Sequence, residues 1–120
     1  MIAQVAAAAV VSENKTLAHP ASVDTVPTSA GKEDHVSMAT WAARKLRLIA
    51  INTERVLAIE LLAAAQALDL HEDNGLRPGK GVAAVYRCIR EHVRFRARDR
   101  EMAPDMEAVR ALIANGAIVA

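Results

Sequence analysis

Apolar residues fall into four groups along the chain, spaced as on helices and separated by polar links that hold the prolines and most of the glycines. Residues 1–15 predict an alanine-rich helix carrying Val5, Val10 and Val11, with no glycine or proline and no capping residue ahead of it. Residues 16–32 contain Pro20, Pro27 and Gly31 among small polar side chains and predict an irregular connection. Loops of this length are uncommon unless functional or disordered; Ala18, Val23 and Val26 give this one something to bury and favour an ordered, functional one. Residues 33–70 predict one long helix with a bend near Asn52-Thr53. Its first half is amphipathic, with Arg44, Lys45 and Arg47 on the wet side. Its second half, 56–70, is apolar nearly all round except at Glu60, Gln66 and Asp69, and a helix apolar on every side is buried on every side. After a turn-rich link with Gly75, Pro78 and Gly79, residues 82–93 predict an amphipathic helix with Val82, Val85, Tyr86 and Ile89 on one face. A charged link leads to a last helix at 104–115, opened by Pro104 and closed by Asn115-Gly116. The fold class is all-α.

Too few elements exist to cover the long helix, so its second half implies cover from other helices. Alanine makes up about a fifth of the 120 residues, well above ordinary usage, which favours closely packed helices. Hydrophobic residues reach 52%, yet Trp41, Tyr86 and Phe95 are the only aromatics. The net charge of +1 gives no global field for nucleic acid or an anionic membrane. The apolar start lacks a basic leading region and is too short to span a bilayer, so it reads as neither signal peptide nor anchor. Cys88 is the lone cysteine, which excludes an internal disulfide framework and fits a reducing, cytoplasmic compartment.

The densest chemistry lies at Ser29-Ala30-Gly31-Lys32-Glu33-Asp34-His35-Val36-Ser37-Met38, where the polar loop meets the long helix. Glu33 and Asp34 suit a helix N-terminus, with its unpaired N–H groups and partial positive charge, and Glu33 and Ser37 would share a helix face. From pattern alone this is an acidic first turn. The residues themselves carry more. Ser12-Glu13-Asn14-Lys15, Leu17-Ala18-His19-Pro20-Ala21-Ser22-Val23-Asp24, Pro27-Thr28-Ser29-Ala30, Glu33-Asp34-His35-Val36-Ser37-Met38, the run from Val56 to Ala64 and Ala103-Pro104-Asp105 together resemble the C-terminal part of the histidine ammonia-lyases, in the aromatic amino acid lyase family. The likeness runs over nearly the whole chain and corresponds to about the last quarter of a full-length enzyme.

That resemblance implies a long-helix bundle segment of the ammonia-lyase (fumarase/aspartase-like) superfamily, with Met1-Ile2-Ala3-Gln4 inside a longer helix. It implies elimination of ammonia from L-histidine to give trans-urocanate, in a homotetramer with active sites shared between chains. It places Glu33 in the substrate site, close to the imidazole of histidine, whose N–H a carboxylate can accept. Where the family has glutamine before this glutamate, Lys32 stands here, either paired with Glu33 or pointing to solvent. Family enzymes use an electrophilic methylidene-imidazolone formed from an internal Ala-Ser-Gly. That triplet does not occur in these residues; Ser29-Ala30-Gly31 has the wrong order. The expectation is therefore one wall of an active site without its reactive centre, inactive alone, completed by a complementary N-terminal part or by other copies.

Other candidates carry less. Asp34 and His35 read as helix caps or loop anchors, and His19 as a loop-anchoring hydrogen-bonder. Glu60, within Leu57 to Leu62, reads as half of a buried ion pair before a catalytic group. Cys88 and His92 are four apart on one helix, but a closed zinc site needs four ligands, so no metal is assigned. The arginines from Arg87 to Arg100 are interleaved with acids and read as a solvated surface, without nucleic acid. A reading from another class is a non-catalytic helical interaction module, or a gene relic, that keeps the packing surfaces.

Overall fold

The structure, a computed structural model, describes residues 1–72 and 74–118. Its elements are α1 (Ile2–Leu17), α2 (Ala39–Glu72), α3 (Lys80–His92) and α4 (Ala103–Ala114), with short 3-10 turns at Ala21–Val23 and Ser29–Gly31. Among the described residues no strand forms; the one isolated β-bridge pairs Thr28 with Glu33.

The 34-residue α2 is the axis. It runs unbroken through Asn52 and Thr53, where the Thr53 hydroxyl donates to the Ile49 carbonyl at 2.8 Å. The pairs Asn52–Glu13 and Lys45–His19 set α1 antiparallel along the first half of α2. Along the second half, Ala58, Leu62 and Ala65 meet Ile89 of α3, Val93 beyond its end and Val109 of α4 in one apolar cluster. These small and branched side chains let the helices approach closely, and Ile89 and Val109 are sealed at 1% and 0% exposure. Asp69 of α2 ties α3 down, accepting from Tyr86 and from Arg90. Arg110 of α4 reaches Glu54 of α2 at 3.0 Å.

The molecule is a rod of 71 × 27 × 20 Å with a radius of gyration of 20.0 Å. A compact domain of this length would have a radius of about 14 Å. The cause is in the sequence: α2 alone spans about 51 Å, and among the described residues three shorter helices flank it. Leu46, Leu48 and Leu57 of α2 therefore stay exposed, as do Leu70 and Trp41.

Three expectations change. The long helix does not start at residue 33. Val36 N–H is taken by the Thr25 hydroxyl, Ser37 Oγ accepts from Ala39 N–H, and the first turn closes with Ala42 N–H on the Met38 carbonyl. Residues 33–38 are thus held in extended and turn conformations by partners in the preceding loop, and no acidic residue lies in the first turn of α2. The loop is not ordered by burial either: Ala18, Val23 and Val26 are exposed, and hydrogen bonds hold it instead. Finally, Glu60 makes no buried ion pair among the described residues; it points to the exposed side of α2, opposite the face that α3 and α4 cover. The remaining boundaries differ by a residue or two, α1 reaching Leu17 and α3 starting at Lys80 directly after Gly79.

Candidate functional site

The site is built on the loop between α1 and α2. Thr25 and Val36 clasp its base: the Thr25 hydroxyl accepts from Val36 N–H at 2.8 Å and donates to the Val36 carbonyl at 3.3 Å. Further out, Thr28 and Glu33 pair through their backbones, Thr28 N–H on the Glu33 carbonyl at 2.9 Å and Glu33 N–H on the Thr28 carbonyl at 3.3 Å. Between them the chain reverses through three successive left-handed residues, Ser29 (φ 54°), Ala30 (φ 56°) and Gly31 (φ 81°). Glycine adopts that region freely, but Ser29 and Ala30 do so at a cost. Gly31 N–H on the Thr28 carbonyl and Lys32 N–H on the Ser29 carbonyl hold the turn closed. Strained backbone of this kind persists where surrounding bonds over-determine it, and it clusters at functional sites.

The turn carries Glu33 at its edge. Its Oε2 accepts from the Thr28 hydroxyl at 2.9 Å, while Oε1 takes no hydrogen bond among the described residues. The side chain is exposed in the chain as it stands. A carboxylate with one oxygen fixed and the other open can accept a hydrogen bond from an N–H donor such as an imidazole. No ion pair among the described residues joins Lys32 to Glu33, so of the two expectations for Lys32 the solvent-facing one is met.

Asp34 and His35 are brought next to Glu33 but do not cap a helix; their side chains make no hydrogen bond or ion pair among the described residues, because α2 begins five residues beyond Asp34. His19 anchors the loop through its backbone, its carbonyl accepting from the buried Lys45 ammonium. That partner was not read from the sequence, where Lys45 counts as one more charge on a wet face. Thr25 and Thr28 also escaped the sequence reading; the only signal was two threonines three apart around Pro27, ahead of a small-residue turn. Cys88 and His92 meet only through His92 Nδ1 and the Cys88 carbonyl at 2.9 Å, and no group of metal-ligating side chains forms among the described residues. The arginine run is partly paired within the chain, Arg90 with Asp69, Arg96 with Asp99 and Arg100 with Asp105. Two grooves of about 460 Å³ flank α3, one apolar between α2 and α3 and one edged by Arg77, Lys80 and Arg87; neither includes Glu33.

Comparison with known proteins gives the family. The aromatic amino acid lyase profile matches residues 1–91, and the chain belongs to that family. It is 58% identical over 123 aligned positions to a histidine ammonia-lyase of Idiomarina loihiensis, an alignment covering 100% of this chain and 23% of the relative. Its fold superposes on the histidine ammonia-lyase of Trypanosoma cruzi with a TM-score of 0.88 at 43% identity, covering 98% of this chain and 23% of that one. A tyrosine aminomutase from Streptomyces globisporus gives a TM-score of 0.86 at 39% identity, over 97% of this chain and 22% of that one. The chain therefore spans a little under a quarter of the length of the relatives it matches. No helix among the described residues is long and apolar enough to cross a membrane.

Proposed function

We propose that these residues form the C-terminal quarter of an enzyme that eliminates ammonia from L-histidine to give trans-urocanate, and that Glu33 binds the substrate imidazole. The observation that carries the reading is the Glu33 carboxylate itself, held on a hydrogen-bonded loop with Oε1 open, in a chain similar to histidine ammonia-lyases along its whole length. The substrate ring would donate its N–H to Oε1. Charge makes that bond stronger than a neutral one, typically worth about 1.5–3 kcal/mol.

The electrophile that activates the ammonia leaving group in this family is a methylidene-imidazolone, and these residues do not fit its formation. Ser29-Ala30-Gly31 runs in the wrong order and is an exposed, internally bonded turn. No step is assigned to it, and the chain alone is expected not to turn over histidine. The rest of the site would come from the remaining three quarters of the enzyme, in a homo-oligomer whose helices cover the exposed apolar side of α2.

The test joins these residues to the N-terminal three quarters of the Idiomarina loihiensis relative and follows urocanate absorbance. Glu33→Gln keeps the size and loses the charge; it should lower turnover about ten- to a hundredfold if the bond is made mainly in the transition state. Lys32→Gln should be neutral or raise activity. Loss with Asp34→Asn but not with Glu33→Gln would name the wrong carboxylate. If neither matters, the segment is a packing module and its surfaces alone are retained.

A further inference from the structure

We infer that Thr28 is the positioning residue for the Glu33 carboxylate, fixing Oε2 so that Oε1 alone is presented to the substrate ring. The inference rests on the substrate-site reading of Glu33 and extends it to a residue in the preceding limb of the loop. Three independent constraints converge on this pair. The Thr28 hydroxyl donates to Oε2 at 2.9 Å. Both backbone groups of Thr28 bond those of Glu33, at 2.9 and 3.3 Å, so the two Cα atoms are locked opposite one another. The turn joining them is held in the left-handed region at two non-glycine residues, Ser29 and Ala30, a conformation that persists only while the flanking pair stays closed.

Side-chain physics supports the assignment. A glutamate on an open loop has three rotatable bonds and would sample many orientations, and ordering it on substrate binding would cost rotamer entropy. Threonine is stiff at χ1 because it is β-branched, so a hydroxyl on a backbone already pinned at both N–H and C=O is a rigid peg for a flexible carboxylate. One oxygen on the peg fixes the carboxylate plane and leaves Oε1 unengaged for the incoming N–H. A ring N–H then meets an oxygen whose direction is set in advance, so the charge-assisted bond forms without reordering the carboxylate. Thr28 touches neither substrate nor reacting atoms; it acts through Glu33.

The experiment is a double-mutant cycle in the complete lyase carrying these residues, with kcat and KM for L-histidine as readouts. Thr28→Val removes the hydroxyl at nearly constant shape and should lower kcat/KM about tenfold. Thr28→Ser, which restores the hydroxyl, should recover most of it. On a Glu33→Ala background, Thr28→Val should cost nothing more, because the group it positions is gone. A merely structural role would give the same loss on both backgrounds, and that result overturns the inference. So does a Thr28→Val enzyme as active as the parent while Glu33→Ala is impaired; the substrate-site reading of Glu33 then stands and only the positioning role falls. If Glu33→Ala itself leaves kcat/KM unchanged, both fall together. Circular dichroism melts of the same variants separate a folding defect, and a Thr28→Val protein that fails to fold where Thr28→Ser folds also counts against a positioning role confined to the carboxylate.

Discussion

Asn52, 3% exposed in the middle of α2, donates from Nδ2 to Oε2 of Glu13 on α1 at 2.9 Å. Its Oδ1 in turn accepts from Arg55 at 3.1 Å, so both ends of a buried amide are satisfied. Helix α1 contains no buried residue of its own, and this polar tie helps fix its register against α2. Asn52→Ala should strip Glu13 and Arg55 of a shared partner and cost about 1–3 kcal/mol. Hydrogen exchange locates the effect: α1 amides should lose protection while those around Ile89 keep theirs. Uniform loss across the molecule would mean that α1 is not held separately.

The second half of α2 behaves differently, because its partners are apolar and sealed. Ile89 sits at 1% exposure among Ala58, Leu62, Ala65 and Val109. Ile89→Ala leaves a cavity that alanines on the facing helix cannot fill, and should cost about 2–5 kcal/mol in urea denaturation. Val23→Ala, at 64% exposure in the loop, should change stability negligibly. Equal effects at the two positions would contradict the placement of the core.

Acid should weaken an ion pair on α4. Arg110 bridges Glu54 on α2 and Glu107 on its own helix. The hydrogen bond from Arg110 holds the Glu107 carboxyl below its ordinary value of 4.5; desolvation opposes it, and the neighbouring Arg110 and Arg55 charges add to the lowering. A carboxyl whose pKa is depressed on folding contributes stability that is present above the unfolded value and lost as pH falls through the folded one. Thermal melts should therefore be level from pH 7 to about 5 and decline below about 4.5. Glu107→Gln should flatten that part of the decline, and high salt should shrink it because the pair is exposed. A melt profile unaltered by the substitution would show that the pair is a surface contact without energetic consequence.

All four helices are legible in the sequence because each keeps an apolar face at helical spacing. Two parts of the site are not. Local pattern places the start of α2 at Glu33, since acids followed by an apolar run fit a helix N-terminus; the hydroxyls of Thr25 and Thr28, eleven and five residues away from their partners, claim that stretch instead. Such pairings have no period. Glu60 illustrates a second limit. Its apolar neighbours argue for burial, but burial depends on how many helices surround α2, and the apolar cluster with α3 and α4 takes in Ala58, Leu61, Leu62 and Ala65 on one side of α2, away from Glu60. Periodicity reports how many faces a helix could bury; the number of partners decides how many it does.

That surplus of apolar surface leads to the last expectation. Leu46 and Leu57 are eleven residues apart, three helical turns, and so lie on one side of α2, at 65% and 43% exposure. Trp41 and Leu48, seven apart, share another side and are 51% and 47% exposed. Large apolar side chains exposed along so elongated a molecule point to an interface, and their burial in water drives association at roughly 25 cal/mol per Å². The chain by itself should therefore self-associate or bind a complementary part. Sedimentation velocity across a concentration series should show a weight-average mass that rises with concentration. Leu46→Lys with Leu57→Lys places two charges on one side of the rod; each buried leucine is worth about 1.5–3 kcal/mol, so the dissociation constant should rise at least tenfold while the α2–α3–α4 core, which contains neither residue, keeps its melt. A parent chain that stays a monomer at every concentration, with a sharp cooperative melt, would show that this surface is compatible with solvent and that the rod needs no partner.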